Sequence, residues 1–298
     1  MLRELLKRVL LRVPGYSDLV DIQGTLREVQ RDVAELRRIE ILRILDLELT
    51  NHPRYSDPKR LLMYAKQTNS QNGEDGIIHE IFRRVGTTSR TFLEIGAGDG
   101  VENNTAFLLA QGWTGFWVDA GGDFIANIHS RPDLDNQSLK WKVCSITREN
   151  IVDMLEDLGV PKDFDLLSLD IDQNTYYAWE GMNGFSPRVA VVEYNSVIPP
   201  DVNWKVNYDP KRVWNSTQNQ GASLKALEEL GRELGYTLVG CDFTGTNAFF
   251  VRNDCVGANF AGPFTAENHY EPLRSALSDR RIRNKSILDR ARPTSTQD

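Results

Sequence analysis

Apolar positions along this chain follow two different periods. In the first fifty residues they return every three or four places. Leu2, Leu5, Leu6, Val9, Leu10 and Val13 form one such set, with Arg3, Lys7, Arg8 and Arg12 between them. Past the breaker pair Pro14-Gly15, Ile22, Leu26, Val29, Val33 and Leu36 step by 4, 3, 4 and 3. That is the spacing of a coiled-coil seam of about two heptads, and it blurs at Glu40 and Arg43. The pattern predicts a helical, amphipathic extension over residues 1–50. Homo-oligomerisation through residues 19–47 and packing of one helix on the chain's own core both satisfy it. The cationic start, residues 1–13, suits either a docked helix or peripheral contact with an anionic membrane face. Residues 51–66 carry Pro53, Pro58 and several small polar residues, which predicts a linker.

From residue 67 the rhythm changes. Short β-branched and aromatic runs stand at 91–96, 115–120, 139–145, 164–171 and 188–195, and most gaps between them carry helical patterns such as 104–111 and 148–158. Near-continuous apolar strands alternating with helices predict a parallel sheet covered on both faces. Two more runs, 236–242 and 247–253, are joined only by Phe243-Thr244-Gly245-Thr246, too short for a helical crossover, so they must form a hairpin. The expected fold is therefore α/β: a seven-stranded Rossmann-like sheet, five parallel strands plus a terminal antiparallel hairpin, over residues 67–262. A helical tail is expected over 263–298.

Bulk properties narrow the function. The 298 residues carry a net charge of -7, against the basic excess of a general nucleic-acid binder. Cys144, Cys241 and Cys255 are too scattered for a disulfide framework and form no CxxC pair for structural zinc. No apolar run reaches the length of a membrane span, and the N-terminus lacks the uninterrupted apolar stretch of a secretory signal. A reducing cytoplasm is the expected location, with the inner membrane face as a peripheral site.

Chemistry should sit where the strands end. The first strand runs through Glu94 into Gly96-Ala97-Gly98-Asp99-Gly100, glycines that allow backbone to approach a ligand closely. Asp119 closes the second strand about twenty residues on, where an acid can accept both ribose hydroxyls. Together with the terminal hairpin, these features match the sheet that S-adenosylmethionine (SAM) methyltransferases share. SAM brings no phosphate, so Glu94, Asp99 and Asp119 raise no charge conflict.

The chain also resembles the FkbM-type class I SAM-dependent methyltransferases. The likeness rests on Ser70-Gln71-Asn72-Gly73-Glu74-Asp75, on Glu94 to Gly100 followed by Asn103-Asn104-Thr105, and on Gly112 to Asp119. It continues through Leu167 to Asp172 and Val192-Glu193-Tyr194-Asn195, spanning residues 67–253. The resemblance implies that Gly96, Gly98 and Asp119 contact SAM, with Gln71 and Glu74 nearby. Asn104 and Ser145 complete the expected cofactor set. The family's commoner acidic-Gly pair after the fourth strand is absent; Gln173-Asn174 follows Asp172 instead.

Asp170 and Asp172 stand two apart, and Glu193 and Asn195 repeat the spacing on the next strand. Side chains two apart on a strand share a face, so four oxygen donors are expected to converge and hold Mg²⁺. The pattern also resembles metal-dependent sugar O-methyltransferases, which carry Asp-x-Asp near an aromatic residue, as Tyr176 and Tyr177 are here. Asp170 acting through hydrogen bonds, without metal, is the alternative. Asp170 is the first candidate general base, followed by His129 and His269. The long connection from Ser196 to Gly221 carries Trp204, Tyr208 and Trp214, which could stack on a sugar or anchor the loop, and Lys205, Lys211 and Arg212 for an anionic group. The expected activity is O-methylation of a glycan or small-molecule hydroxyl. Another small-molecule alcohol as acceptor and a non-catalytic SAM-fold scaffold are the alternatives.

Overall fold

A computed structural model describes residues 16–98, 100–121, 138–212 and 217–274. Seven strands build one sheet: β1 (Thr91–Ile95), β2 (Thr114–Asp119), β3 (Leu139–Val143), β4 (Asp163–Leu169), β5 (Ser186–Glu193), β6 (Tyr236–Cys241) and β7 (Asn247–Arg252). Their order is β3-β2-β1-β4-β5-β7-β6. β1 to β5 pair in parallel, while β7 runs antiparallel to both β5 and β6. The hairpin inserts its second strand next to β5, and the short turn at 243–246 requires β6 and β7 to pair antiparallel.

Each central strand is buried on both faces, which explains its lack of polar alternation. Leu93, Ile95, Phe116 and Val118 point to a core built with helices α4 (Ile151–Leu158), α5 (Thr175–Gly181) and α6 (Leu224–Glu233). Phe92, Trp117, Val189 and Val191 point the other way, against Ile77, Ile78, Ile81 and Phe82 of helix α2 (Glu74–Val85). Period-two alternation of the strands thus feeds two separate cores. Helix α3 (Ala106–Ala110) is short, and α6 begins at Ser223, whose side chain caps the Ala226 N–H.

Residues 16–51 form one unbroken helix, α1 (Tyr16–Asn51). The pattern break at Glu40 and Arg43 does not interrupt it, because neither residue is a helix breaker and the two pair at 3.0 Å along one face. The membrane-contact residues 1–13 lie outside the described residues. The segment 51–66 is not a solvated linker. Pro53 opens a 3-10 turn at Pro53–Tyr55, a second 3-10 turn follows at Leu62–Tyr64, and Tyr55, Leu61 and Leu62 are buried. The Tyr55 hydroxyl donates to Glu271 at 2.8 Å, and Arg54 meets the same carboxylate at 3.3 Å. Short helices α7 (Asn253–Val256) and α8 (Ala266–His269) follow the sheet. Of the expected helical tail, α8 is the described helical part, and residues 275–298 lie outside the described residues. Among the described residues no helix is long and apolar enough to cross a membrane.

Candidate functional site

The strand order reverses between β1 and β4, and open α/β sheets bind ligands in the crevice at such a point. Here the chain after β1 is stitched across its neighbours: Gly96 N–H donates to the Val118 carbonyl at 2.8 Å, and Asp170 N–H donates to the Ile95 carbonyl at 2.9 Å. Gly96 adopts φ +89, and a Cβ there would stand 1.6 Å from the Asp170 carbonyl oxygen. Only glycine lets these two loops meet. Gly98, at φ +59, faces open space with nothing within 4 Å of a Cβ position.

Asp119, half-buried at the tip of β2, accepts from Gly98 N–H at 2.8 Å and from Gly121 N–H at 2.6 Å. Each carboxylate oxygen retains a second lone pair. The acid is therefore oriented before any ligand arrives.

The other acids expected around the cofactor are placed differently. Glu94 is buried and accepts from Asn103 Nδ2, from Asn104 and Thr105 N–H, and from the Thr105 hydroxyl, at 2.5–3.2 Å. Trp117 Nε1 extends this network to Thr105 Oγ1 at 2.8 Å. Glu94 thus shapes the loop from inside instead of facing the crevice, which corrects its expected direct role. Glu74 is likewise buried, held by Asn72 and by Asn247 Nδ2 at 2.8 Å. The Asn104 amide donates to Ser168 Oγ at 3.0 Å. The Gln71 side chain and Ser145 are exposed at the surface. Asp99 lies outside the described residues.

Burial pushes the Glu94 and Asp242 carboxyls up to about 7, against the pull of their hydrogen-bond donors. Burial likewise raises Asp75 and Asp172 to about 6. The native state therefore holds protons that the unfolded chain, with carboxyl values near 4, has released. Between about pH 4 and 7 these groups make stability fall as pH rises. His269, pushed down to about 3 by burial, opposes them with one proton below its ordinary value. The thermal midpoint is expected to drop between pH 5 and pH 7.5. A midpoint that climbs over this interval would contradict the assignment.

On the far side of the switch point, Asp170, Asp172 and Glu193 bring carboxylate oxygens within 4.8 Å of one another. Strand alternation does not produce this, because β4 ends at Leu169 and β5 at Glu193. The chain leaves β4, turns through Ile171, and sets Asp172 at φ +58. A non-glycine residue held there costs about 1 kcal/mol or more and often marks a functional turn. Asp172 N–H donates back to the Asp170 and Glu193 carboxylates. Burial and the neighbouring charges raise both Asp170 and Glu193, Glu193 well above the usual carboxylate range, and the two side chains share a hydrogen bond. Asp170 is the exposed member of the three, with Asp172 and Glu193 half-buried beside it.

Asn195 does not join this cluster. It lies beyond the end of β5, where its Nδ2 donates to the Gln218 and Gln220 carbonyls at 2.7 and 2.9 Å and its Oδ1 accepts from Val197 N–H. The strand stopped two residues too early for the expected facing. Three buried side-chain oxygens nearby, Gln173 Oε1, Asn174 Oδ1 and Gln220 Oε1, have no hydrogen-bond partner among the described residues. Gly221 lies against the Asp172 carbonyl, 3.4 Å from a Cβ position.

Tyr176 and Tyr177, on α5, are buried, and the Tyr177 hydroxyl donates to the Val206 carbonyl at 2.9 Å. Tyr208 packs on Tyr177 with ring centroids 4.8 Å apart and donates to Glu149. These rings fasten the 196–221 connection to the sheet. Lys205 Nζ stands 3.8 Å above the Tyr176 ring, and Trp204 is half-buried beside Ser223. Trp214 and His129 lie outside the described residues. His269 is buried in a narrow crevice with Arg60, Leu61 and Gly240, beside β6 and away from the carboxylate cluster.

Sequence reasoning passed over Asn247 and Ser168. Asn247 is the register partner of Glu193 and holds Glu74, and Ser168 ties Asn104 into β4. A polar residue opening or interrupting an otherwise apolar strand was the available signal.

No known family profile matches the chain, and no curated protein matches its sequence. Several solved structures are similar to the chain at low identity. A SAM-dependent methyltransferase from Aquifex aeolicus is 11% identical, with a TM-score of 0.37, over 65% of this chain and 93% of that one. One from Mesorhizobium loti is 12% identical, with a TM-score of 0.38, over 59% and 95%. A third, from Clostridium acetobutylicum, is 10% identical, with a TM-score of 0.37, over 71% and 97%.

Proposed function

We propose that this chain is a SAM-dependent O-methyltransferase of the FkbM type, acting on a saccharide hydroxyl of a glycan or glycosylated metabolite. The observation that carries the reading is the junction at the switch point: Gly98 opens onto free space while its N–H orients Asp119 at 2.8 Å, one loop away from Asp170. A nucleoside seated there would give its ribose hydroxyls to Asp119 and its methyl toward the carboxylate cluster.

Transfer from a sulfonium is an in-line displacement, so alignment supplies most of the rate. The acceptor oxygen forms the new C–O bond as the C–S pair returns to sulfur, leaving S-adenosylhomocysteine. Asp170, open to the cleft, takes the hydroxyl proton. The resemblance supplies the glycan part. The acceptor oxygens of Gln173, Asn174 and Gln220, without partners among the described residues, suit a ligand rich in hydroxyl donors.

Asp170, Asp172 and Glu193 also fit Mg²⁺, since three crowded carboxylates supply hard oxygen donors whose charge a divalent cation would offset. A cation bound there would lower the pKa of a coordinated hydroxyl. Three free cysteines accord with a reducing cytoplasm.

The test is calorimetry with S-adenosylhomocysteine, followed by transfer of labelled methyl from SAM to a panel of sugar acceptors. Binding in the micromolar range and label on a sugar oxygen are expected. Failure to bind removes the methyltransferase reading. Treatment with EDTA is expected to abolish transfer and Mg²⁺ to restore it, and Asp172→Asn to weaken Mg²⁺ at least roughly tenfold. Transfer indifferent to EDTA removes the metal and leaves Asp170 acting alone.

A further inference from the structure

The methyl-transfer reading leaves α1 unused. This helix of 36 residues would extend roughly 54 Å at 1.5 Å per residue. It leads into the 3-10 turns that dock on the domain, yet its apolar seam faces solvent. Ile22, Leu26, Val29, Val33, Leu36 and Leu47 are each at least half exposed. Because the helix runs unbroken through Glu40 and Arg43, the seam spans nearly four heptads, not two.

The flanking positions say what covers it. With Leu26, Val33, Glu40 and Leu47 at a, and Ile22, Val29, Leu36 and Arg43 at d, the g positions are Thr25, Asp32 and Ile39, and the e positions are Gln30, Arg37 and Ile44. In a parallel, in-register pair each g residue meets the partner's e residue five places on. Asp32 then meets an arginine, Ile39 meets an isoleucine, and Thr25 meets a glutamine. Ile39 and Ile44 are both exposed in the single chain, so this pairing covers apolar surface that the seam alone would leave wet. An antiparallel pair centred on the same seam would set Asp32 against Ile39 and Ile44 against Gln23, wasting both matches.

We propose that α1 is a parallel, in-register, two-stranded coiled coil with a second copy of this chain, independent of what the crevice binds. The Glu40 and Arg43 layers fit this role. Within each helix the two side chains pair at 3.0 Å, so the two layers together carry no net charge. Polar core layers of this kind specify register and strand number at some loss of stability.

Light scattering of the full chain is expected to give twice 33.8 kDa at micromolar concentration. Val33→Glu, which buries a charge twice in one dimer, is expected to raise the dissociation constant about a hundredfold or more while leaving the thermal midpoint of the α/β domain in place. Direction is read by charge exchange. Asp32→Arg and Arg37→Asp should each weaken the dimer, and the double variant should restore it. A cysteine at Val29→Cys should cross-link the two chains under mild oxidation, with the parent chain as control for its native cysteines. A monomeric parent chain, or a dimer that ignores Val33→Glu, overturns the proposal. A dimer without charge-swap rescue or cross-link overturns the parallel arrangement.

Discussion

Asp119→Ala is expected to cost about a hundredfold in affinity for S-adenosylhomocysteine, measured by calorimetry at neutral pH. The side chain stands at the tip of β2 with both oxygens already aimed by the N–H groups of Gly98 and Gly121. Hydrogen bonds from two ribose hydroxyls to a pre-oriented carboxylate are each worth about 1.5–3 kcal/mol. Losing both gives at least about 3 kcal/mol, roughly two decades in the dissociation constant. Asp119→Asn keeps one acceptor and turns the other into a donor, so an intermediate loss is expected. An affinity for the alanine variant within threefold of the parent would mean that no nucleoside sugar is held there.

The second large effect is structural. Gly96→Ala would place a methyl group 1.6 Å from the Asp170 carbonyl oxygen, on a residue at φ +89. The obstacle is backbone, not a flexible side chain, and it belongs to the loop that leaves β4. Either the β1 loop or the Asp170 turn must shift. Displacing packed backbone in this way should cost roughly 4 kcal/mol, at the upper end of single substitutions. For a domain of this size that lowers the thermal midpoint by about 8–16 °C. Gly98→Ala is the matched control. It shares a positive φ, +59, but nothing lies within 4 Å, so it should cost only about 1 kcal/mol of stability. Its methyl group would enter the space we propose for the nucleoside, so binding should fall while the midpoint barely moves. Equal midpoints for the two alanine variants would show that the close approach at Gly96 has been misread.

The two effects separate the roles within one short loop. Gly96 is needed for the protein to close on itself, and in the proposed site Gly98 is needed for the ligand to approach. Glu94 belongs with Gly96: its carboxylate is spent on Asn103, Asn104 and Thr105, so the loop is held from below by a buried acid.

Much of this was legible in the residues. Every strand could be placed from apolar runs, and the four-residue turn at 243–246 by itself required a hairpin at the end of the sheet. The glycine loop, Asp119 and the Asp170-Asp172 pair could be assigned to the carboxyl edge because each ends an apolar run. These are local properties. Steric limits on short connections and the burial of β-branched residues act within about ten positions of sequence.

Convergence of the side chains was another matter. Asn195 was expected among the metal donors by strand spacing, but β5 ends at Glu193, and the 196–221 connection takes up the asparagine. Asp172 reaches the cluster through a left-handed turn that no periodicity announces. The 51–66 segment reads as a linker because it is rich in breakers, yet Glu271, more than two hundred residues later, ties it down. By itself the sequence determined where the strands lie along the chain, that a hairpin ends the sheet, and the seam along α1. Only the tertiary structure decided which acids face the crevice and which lie buried beneath it. A carboxylate's role depends on the donors that long-range packing brings to it, and those donors come from residues distant in the chain.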